Sequence, residues 1–448
     1  MKRGADLIMT GGTLVNHDGV APAGLAIAEG RIVGIGDVSS FAAAETLDCR
    51  GLHILPGVID SQVHLREPGL EHKEDLESGG RAAVMGGVTS VFEMPNTKPL
   101  TVTAAALADK VRRASNRMYC DFAFYMGGTR ENVADLAAFE KLPGCAGIKV
   151  FMGSSTGELL VEDDEGVASI LAQTSRRAAF HSEDEFRLRQ RTGEQIAGNP
   201  ASHPIWRDAE AARLCTERLI RIARRTGKLI HVLHVSTAEE MPLLAANKDV
   251  ATVEVTPHHL TLSSDDYAKL GTLMQMNPPV RATEHQRAIW HALQSGVVDI
   301  LGSDHAPHTR EEKAKPYPGS PSGMPGVQTL VPVMLDHVNK GRLSIERFVD
   351  LTSHGPARIF GIAQKGRIAE GFDADLTVVD LRKKRVIKNG WIESKCGWTP
   401  YDGYDVTGWP QGTFVRGQKV MWEDQILGKA AGRPVKFLEA LPALKEPA

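Results

Sequence analysis

Leu229-Ile-His231-Val-Leu-His234-Val-Ser236 is a short apolar, β-branched run with histidines near its end. It follows residues 207–226, rich in Ala, Leu, Arg and Glu, so it reads as a strand after a helix. The same unit recurs on both sides. Strand-like runs stand at 54–59, 88–93, 121–126, 147–151, 178–181, 251–256 and 297–302, with helical stretches such as 104–115 and 284–295 between them. Repeated strand–helix alternation predicts a parallel sheet. The number of strands suits a (β/α)8 barrel, with an open doubly wound sheet as the alternative.

Outside this core the pattern changes. The first 55 residues read as short β segments (5–9, 24–28 and 31–35) separated by Gly, Asn and Asp turns. After Lys365 the β pattern returns, with strands expected at 366–368, 374–380 and 413–422. The expected organisation is a composite β-sandwich domain from residues 1–55 and 365–448, with a barrel of residues 56–364 between them. Residues 310–325 hold four prolines and two glycines and read as a long loop.

Composition narrows the function. The chain has 448 residues, with 52 basic and 55 acidic side chains and a net charge of −3, so no strong basic field points to nucleic acid or an anionic membrane. No apolar run approaches the length of a membrane helix, and no secretory h-region opens the chain. Cys49, Cys120, Cys145, Cys215 and Cys396 are scattered and never form C-x-x-C, which argues against a disulfide framework and a thiolate zinc site. A reducing cytoplasm is the expected compartment.

Five clusters could carry chemistry. His64 follows the first strand, in Asp60-Ser-Gln-Val-His64-Leu-Arg66. Lys149 lies inside an apolar strand, where an ammonium is costly unless it snorkels, is paired or is carboxylated to a metal-bridging carbamate. His181 and His234 end strand-like runs. His231 and His234 are three apart and would face opposite sides of a strand, so only one can reach a barrel mouth, and His234 is the better placed. Asp304 ends the last strand, where an acid can ligate a metal and move a proton. Each has a bland reading, as a satisfied strand-end histidine or a turn aspartate. Together they all fall at strand C-terminal ends, the face that carries active sites in barrels. Nitrogen and oxygen donors without thiolate suit catalytic zinc. The Pro257-His258-His259 run reads instead as part of a loop.

These residues resemble the cyclic amidohydrolases of the amidohydrolase superfamily: dihydroorotases, allantoinases and dihydropyrimidinases. The family's H-x-H, carboxylated lysine, two histidines and aspartate correspond here to Gln62 and His64, Lys149, His181, His234 and Asp304. The motifs His64-Leu-Arg66-Glu-Pro-Gly69, Glu93-Met-Pro-Asn96-Thr, Met276-Asn277-Pro-Pro-Val-Arg281 and Asp304-His-Ala-Pro-His308 look like dihydroorotases in particular. The resemblance implies that Arg66 and Asn96 hold a substrate carboxylate, that Asn277 and His308 contact ring and carboxylate, and that residues 310–325 cover the site. Ser154 stands where dihydropyrimidinases carry a tyrosine.

The implied activity is the zinc-dependent, reversible cyclisation of N-carbamoyl-L-aspartate to L-dihydroorotate in pyrimidine synthesis, with Asp304 as the catalytic proton carrier. One departure is plain: Gln62 replaces the first histidine, and a neutral amide is a much poorer zinc ligand than imidazole. The expected cofactor is therefore one or two Zn2+ per chain, with Lys149 as the carboxylated lysine. A homo-oligomer is expected, and aspartate transcarbamoylase is the candidate partner protein. The rival readings are an allantoinase or other cyclic-amide hydrolase, and a non-catalytic scaffold for aspartate transcarbamoylase.

Overall fold

Strands covered on both faces need continuous apolar runs, and the middle of the chain supplies them. The computed structural model describes residues 2–154 and 159–440. In it eight parallel strands pair in chain order: β1 (Val58–Val63), β2 (Val88–Glu93), β3 (Asp121–Gly127), β4 (Cys145–Phe151), β5 (Ala178–His181), β6 (Ile230–Val232), β7 (Ala251–Val255) and β8 (Ile300–Leu301). A bridge between Val63 and His305, with a 2.7 Å bond from the His64 N–H to the His305 carbonyl, brings the two edges together. The sheet is a nearly closed barrel, as expected, and not an open doubly wound sheet, whose strand order would reverse at a switch point.

The pleat sorts side chains between two layers. On β3, Phe122, Phe124 and Met126 pack outward against the helical layer, whereas Ala123 and Tyr125 join Ile59, Phe92 and Phe360 in the barrel interior. On β4, Ile148 and Val150 belong to the outer layer, so Lys149 between them turns inward. The helix Ala209–Thr226, which leads into β6, is bounded by local chemistry. Asp208 caps its start by accepting from the Ala211 N–H, and Gly227 closes it in the left-handed region at φ 67°.

Both chain ends build further sheet. A four-stranded sheet comes from Arg3–Thr10, Gly24–Ala28, Arg31–Gly36 and Phe41–Asp48. A seven-stranded sheet joins Thr13–Asn16, Gly19–Pro22 and His53–Pro56 from the start of the chain to Leu376–Val386, Asp405–Val415, Gln418–Trp422 and Gln425–Ile426 from its end. Residues 1 and 441–448 of the expected β unit lie outside the described residues. Buried Lys365 ties this region to the barrel, bonding Asp121 at the start of β3 (2.8 Å) and Asp375 beside the seven-stranded sheet.

Two expected strands are corrected. Residues 366–368 form none: the Ile368 N–H and carbonyl bond the side-chain amide of Asn16 (2.9 and 3.0 Å), and no ladder forms. Residues 413–422 are not one strand. Arg416 and Gly417 both have positive φ (46° and 73°), which folds the segment into a hairpin between Asp405–Val415 and Gln418–Trp422. Among the described residues no helix is long and apolar enough to cross a membrane.

Candidate active site

Barrel geometry gathers strand ends that lie far apart in sequence. A small cavity of about 20 Å3 at the barrel mouth is lined by Gln62, His64, Lys149, His181, His234 and Asp304, with Asn277 beside them. Gln62 lies on β1 and His64 just after it, Lys149 on β4, and His181 is the last residue of β5. The strand expected over 229–235 is shorter than that: β6 ends at Val232, so His234 sits just beyond it. His231 stays on β6, bonds Thr252 Oγ1 (2.8 Å) and packs on Phe360, away from the cavity. His258 and His259 form part of a short buried helix, Pro257–Thr261, and do not line the cavity.

Three non-glycine residues here occupy the left-handed region: Arg66 (φ 66°), His234 (37°) and Asp304 (47°). Such conformations cost roughly 1–3 kcal/mol each and persist where surrounding structure enforces them, as at functional sites.

One side of the cavity presents convergent donors. His181 Nδ1 and His234 Nε2 lie 3.0 Å apart. The other ring nitrogen of His181 bonds Glu183 Oε2 (2.9 Å), and Glu183 is gripped in turn by Arg207. Burial opposes ionisation of Glu183, but Arg207 and His181 overcome it and hold the carboxyl below its usual range. Lys149 Nζ has no hydrogen-bond partner among the described residues. Burial lowers its pKa to about 7 against the pull of Asp304 and Glu254.

The other side is organised differently. His64 Nε2 is 3.3 Å from Asp304 Oδ1, and the Gln62 amide nitrogen donates to that same oxygen at 3.0 Å. Gln62 Oε1 is left without a hydrogen-bond partner among the described residues. His64 Nδ1 bonds Asn96 Oδ1 (2.9 Å). Burial raises Asp304 to about 7, opposed by His181, Lys149 and Arg66.

A larger cleft of about 700 Å3 is lined by Arg66, Lys73, Asn96, Lys98 and His308, and it meets the cavity through the His64–Asn96 pair. Arg66 is buried; it donates to the Pro307 carbonyl (3.1 Å) and approaches His308 Nε2 (3.2 Å). No carboxylate pairs with it among the described residues, and burial lowers its pKa to about 10. Of the four expected substrate contacts, Arg66, Asn96 and His308 gather at this cleft. Asn277 instead lines the inner cavity, with its Oδ1 2.9 Å from His203 Nε2. Residues 310–325 carry a short helix, Arg310–Lys313; Pro321 reaches the cleft, and Ser322 and Gly323 reach the cavity.

Sequence reasoning passed over Glu183, His203, Arg207 and Lys73. Glu183 had a legible cue: it stands two residues past His181 and so can share its side. Nothing in the sequence around His203, Arg207 or Lys73 marks the contacts that they make.

Comparison with known proteins places these residues in context. Residues 210–420 match the model of the Amidohydrolase family, and residues 51–148 match the Dihydro-orotase-like model. The chain is 39% identical over 391 residues to the dihydroorotase of Halobacterium salinarum, covering 86% of this chain and 89% of that one. It is 34% identical to the dihydroorotase of Methanosarcina mazei, covering 96% and 97% of the two chains. It is 32% identical to the L-hydantoinase of Paenarthrobacter aurescens, covering 94% and 96%. Among solved structures, the L-hydantoinase (dihydropyrimidinase) from Arthrobacter aurescens superposes with a TM-score of 0.92 at 30% identity, over 96% of this chain and 99% of that one.

Proposed function

We propose, on the premise that the chain belongs to the dihydroorotase-like amidohydrolases, that it is a dihydroorotase interconverting N-carbamoyl-L-aspartate and L-dihydroorotate in pyrimidine synthesis. The observation that carries the substrate choice is Arg66, a buried guanidinium with no acid partner among the described residues, in the wall of the cleft. Burying an unpaired cation is costly, and a substrate carboxylate would offset that cost with a bidentate contact. The L-hydantoinase likeness supports a second reading, hydrolysis of a ring without a fixed carboxylate, but that reading leaves Arg66 unmatched.

The donors test unevenly for a metal. Among the described residues no group of three His, Cys, Asp or Glu side chains is disposed to hold one, so a metal here needs Lys149 among its ligands. Lys149 suits that role as a carbamate: it is buried, without a hydrogen-bond partner among the described residues, and near neutrality its amine is partly uncharged and open to carboxylation. Lys149, His181 and His234 would hold one zinc, with Glu183 orienting His181 as an outer carboxylate does for metal-ligating histidines. His64, Asp304 and Lys149 would hold a second zinc only weakly, because Gln62 directs an N–H at the Asp304 oxygen. Bound zinc supplies polarisation of the ring carbonyl and a lowered pKa for water.

The side chains do the rest. Arg66, Asn96 and His308 position the carboxylate, and Asn277 faces the ring. Asp304, in the cavity wall beside His64 and Gln62, is placed to act as base and acid. In hydrolysis it takes a proton from the attacking water as the C–O bond forms, and returns it to the ring nitrogen as the C–N bond breaks. On this reading residues 56–364 are the catalytic barrel, residues 1–55 and 365–448 form one β unit, and the enzyme is a cytoplasmic homo-oligomer. Co-purification tests association with aspartate transcarbamoylase. The deciding assay follows L-dihydroorotate, allantoin and dihydrouracil with and without added zinc. Zinc-dependent turnover of dihydroorotate supports the proposal; preference for either other ring contradicts it, and no turnover with excess zinc favours the scaffold.

A further inference from the structure

Lys73 lies in the loop between β1 and the helix Leu76–Met85 and is absent from the chemistry described above. Its Nζ is 3.1 Å from His308 Nδ1 and 3.0 Å from Glu312 Oε1. An ammonium only donates, so Nδ1 must accept, and a neutral His308 then carries its proton on Nε2. His308 is neutral because it is buried beside Arg66, which together push its pKa to about 3. The Ser322 carbonyl, 3.0 Å from Nε2, is an acceptor and agrees with that tautomer.

Arg66 Nη2 does not agree with it. It lies 3.2 Å from the same Nε2, so two N–H donors face each other. The opposite tautomer would satisfy Arg66 and aim an Nδ1–H toward Glu312 Oε2 at 3.7 Å, but it would turn that N–H against the nearer Lys73 ammonium at 3.1 Å and leave the Ser322 carbonyl facing a lone pair. An anionic oxygen shared by Arg66 and His308 resolves the conflict. Lys73 is itself anchored, because Glu312 is fixed by reciprocal bonds with Thr309 (3.1 and 3.2 Å). Gly323 lets the chain close over the ring: a Cβ there would fall 2.9 Å from His308 Cδ2 and Nε2.

We infer that Lys73 is a positioning residue for carboxylate recognition: it sets the His308 tautomer so that Nε2–H and the Arg66 guanidinium both donate to the substrate carboxylate. The inference rests on the dihydroorotase reading. The ordinary alternative is a Lys73–Glu312 ion pair that only braces the loop.

The test uses Lys73→Met and Lys73→Arg in the full-length, zinc-supplied protein. Steady-state kinetics on L-dihydroorotate are combined with 15N NMR of labelled histidine, and His308→Gln assigns the signal. Lys73→Met is expected to raise KM about tenfold and change kcat by less than about threefold, with metal content and Tm unchanged. Lys73→Arg, which can still donate to Nδ1, recovers most of the loss. The His308 ring is Nε2-protonated in wild type and a mixture of tautomers in Lys73→Met. An unchanged tautomer in Lys73→Met overturns the inference. So does a joint fall in kcat and Tm that Lys73→Arg does not restore. If wild type ignores dihydroorotate, the functional reading fails, and the nitrogen shifts still decide whether Lys73 sets the tautomer.

Discussion

The two sides of the barrel mouth differ by the chemistry of one side chain. On the Lys149–His181–His234 side, two imidazole nitrogens converge to 3.0 Å and a lysine amine has no partner among the described residues. On the Gln62–His64–Asp304 side, an amide N–H already occupies the carboxylate oxygen, at 3.0 Å. An imidazole at position 62 would offer a lone pair to a cation. The glutamine offers a donor to an anion, so Asp304 can keep its place without a metal. On the proposed zinc reading, the framework of the site is kept while the affinity of its two halves separates.

The largest effect tests the first side. Lys149→Ala would remove the donor that both proposed zinc sites share, so bound metal is expected to vanish and turnover to fall at least about a thousandfold, several kcal/mol of lost stabilisation. Elemental analysis beside kinetics checks this, and activity that survives with full metal would show that the halves do not depend on Lys149.

Arg66→Ala tests the cleft apart from either half. Losing a charge-assisted contact to a carboxylate costs about 1.5–3 kcal/mol, so kcat/KM for dihydroorotate should drop at least about tenfold with metal content unchanged. Substrates lacking the carboxylate should show no comparable drop; an equal drop would make Arg66 structural.

Glu183→Gln tests how far the first side depends on its outer carboxylate. It should weaken zinc binding about 10–100-fold, read by competition with a chromophoric chelator. Unchanged affinity would mean that His181 needs no such support.

The smallest effect concerns residues 310–325. Lys313 Nζ bonds the Gln275 and Pro321 carbonyls (3.2 and 2.8 Å), which ties this segment to the stretch carrying Asn277. Shortening it should lower kcat by about threefold to tenfold while Tm moves little. A large loss of Tm with normal kcat would make the segment part of the outer layer only.

Much of this was legible because periodicity is local. The runs at 88–93 and 178–181 coincide with β2 and β5, since strands buried on both faces leave unbroken apolar stretches. Lys149 could be singled out because a lysine inside an apolar strand breaks its local pattern, and Asp304 because an acid follows the last apolar run; Gln62 stood out only against the family's H-x-H. What escaped was chemistry made by distant partners. Arg207 reaches Glu183 from just before a helix, and His203 meets Asn277 across 74 positions. The Arg416–Gly417 turn was hidden because the β pattern runs unbroken on both sides of it.

Metal content tests the central claim most directly. Wild type and Gln62→His, each loaded with zinc and bicarbonate and dialysed against the same weak chelator, would be analysed for zinc per folded chain. The account predicts about one tightly held zinc in wild type and about two in Gln62→His, since an imidazole is a far better zinc ligand than an amide. Two tight zincs in wild type would contradict it.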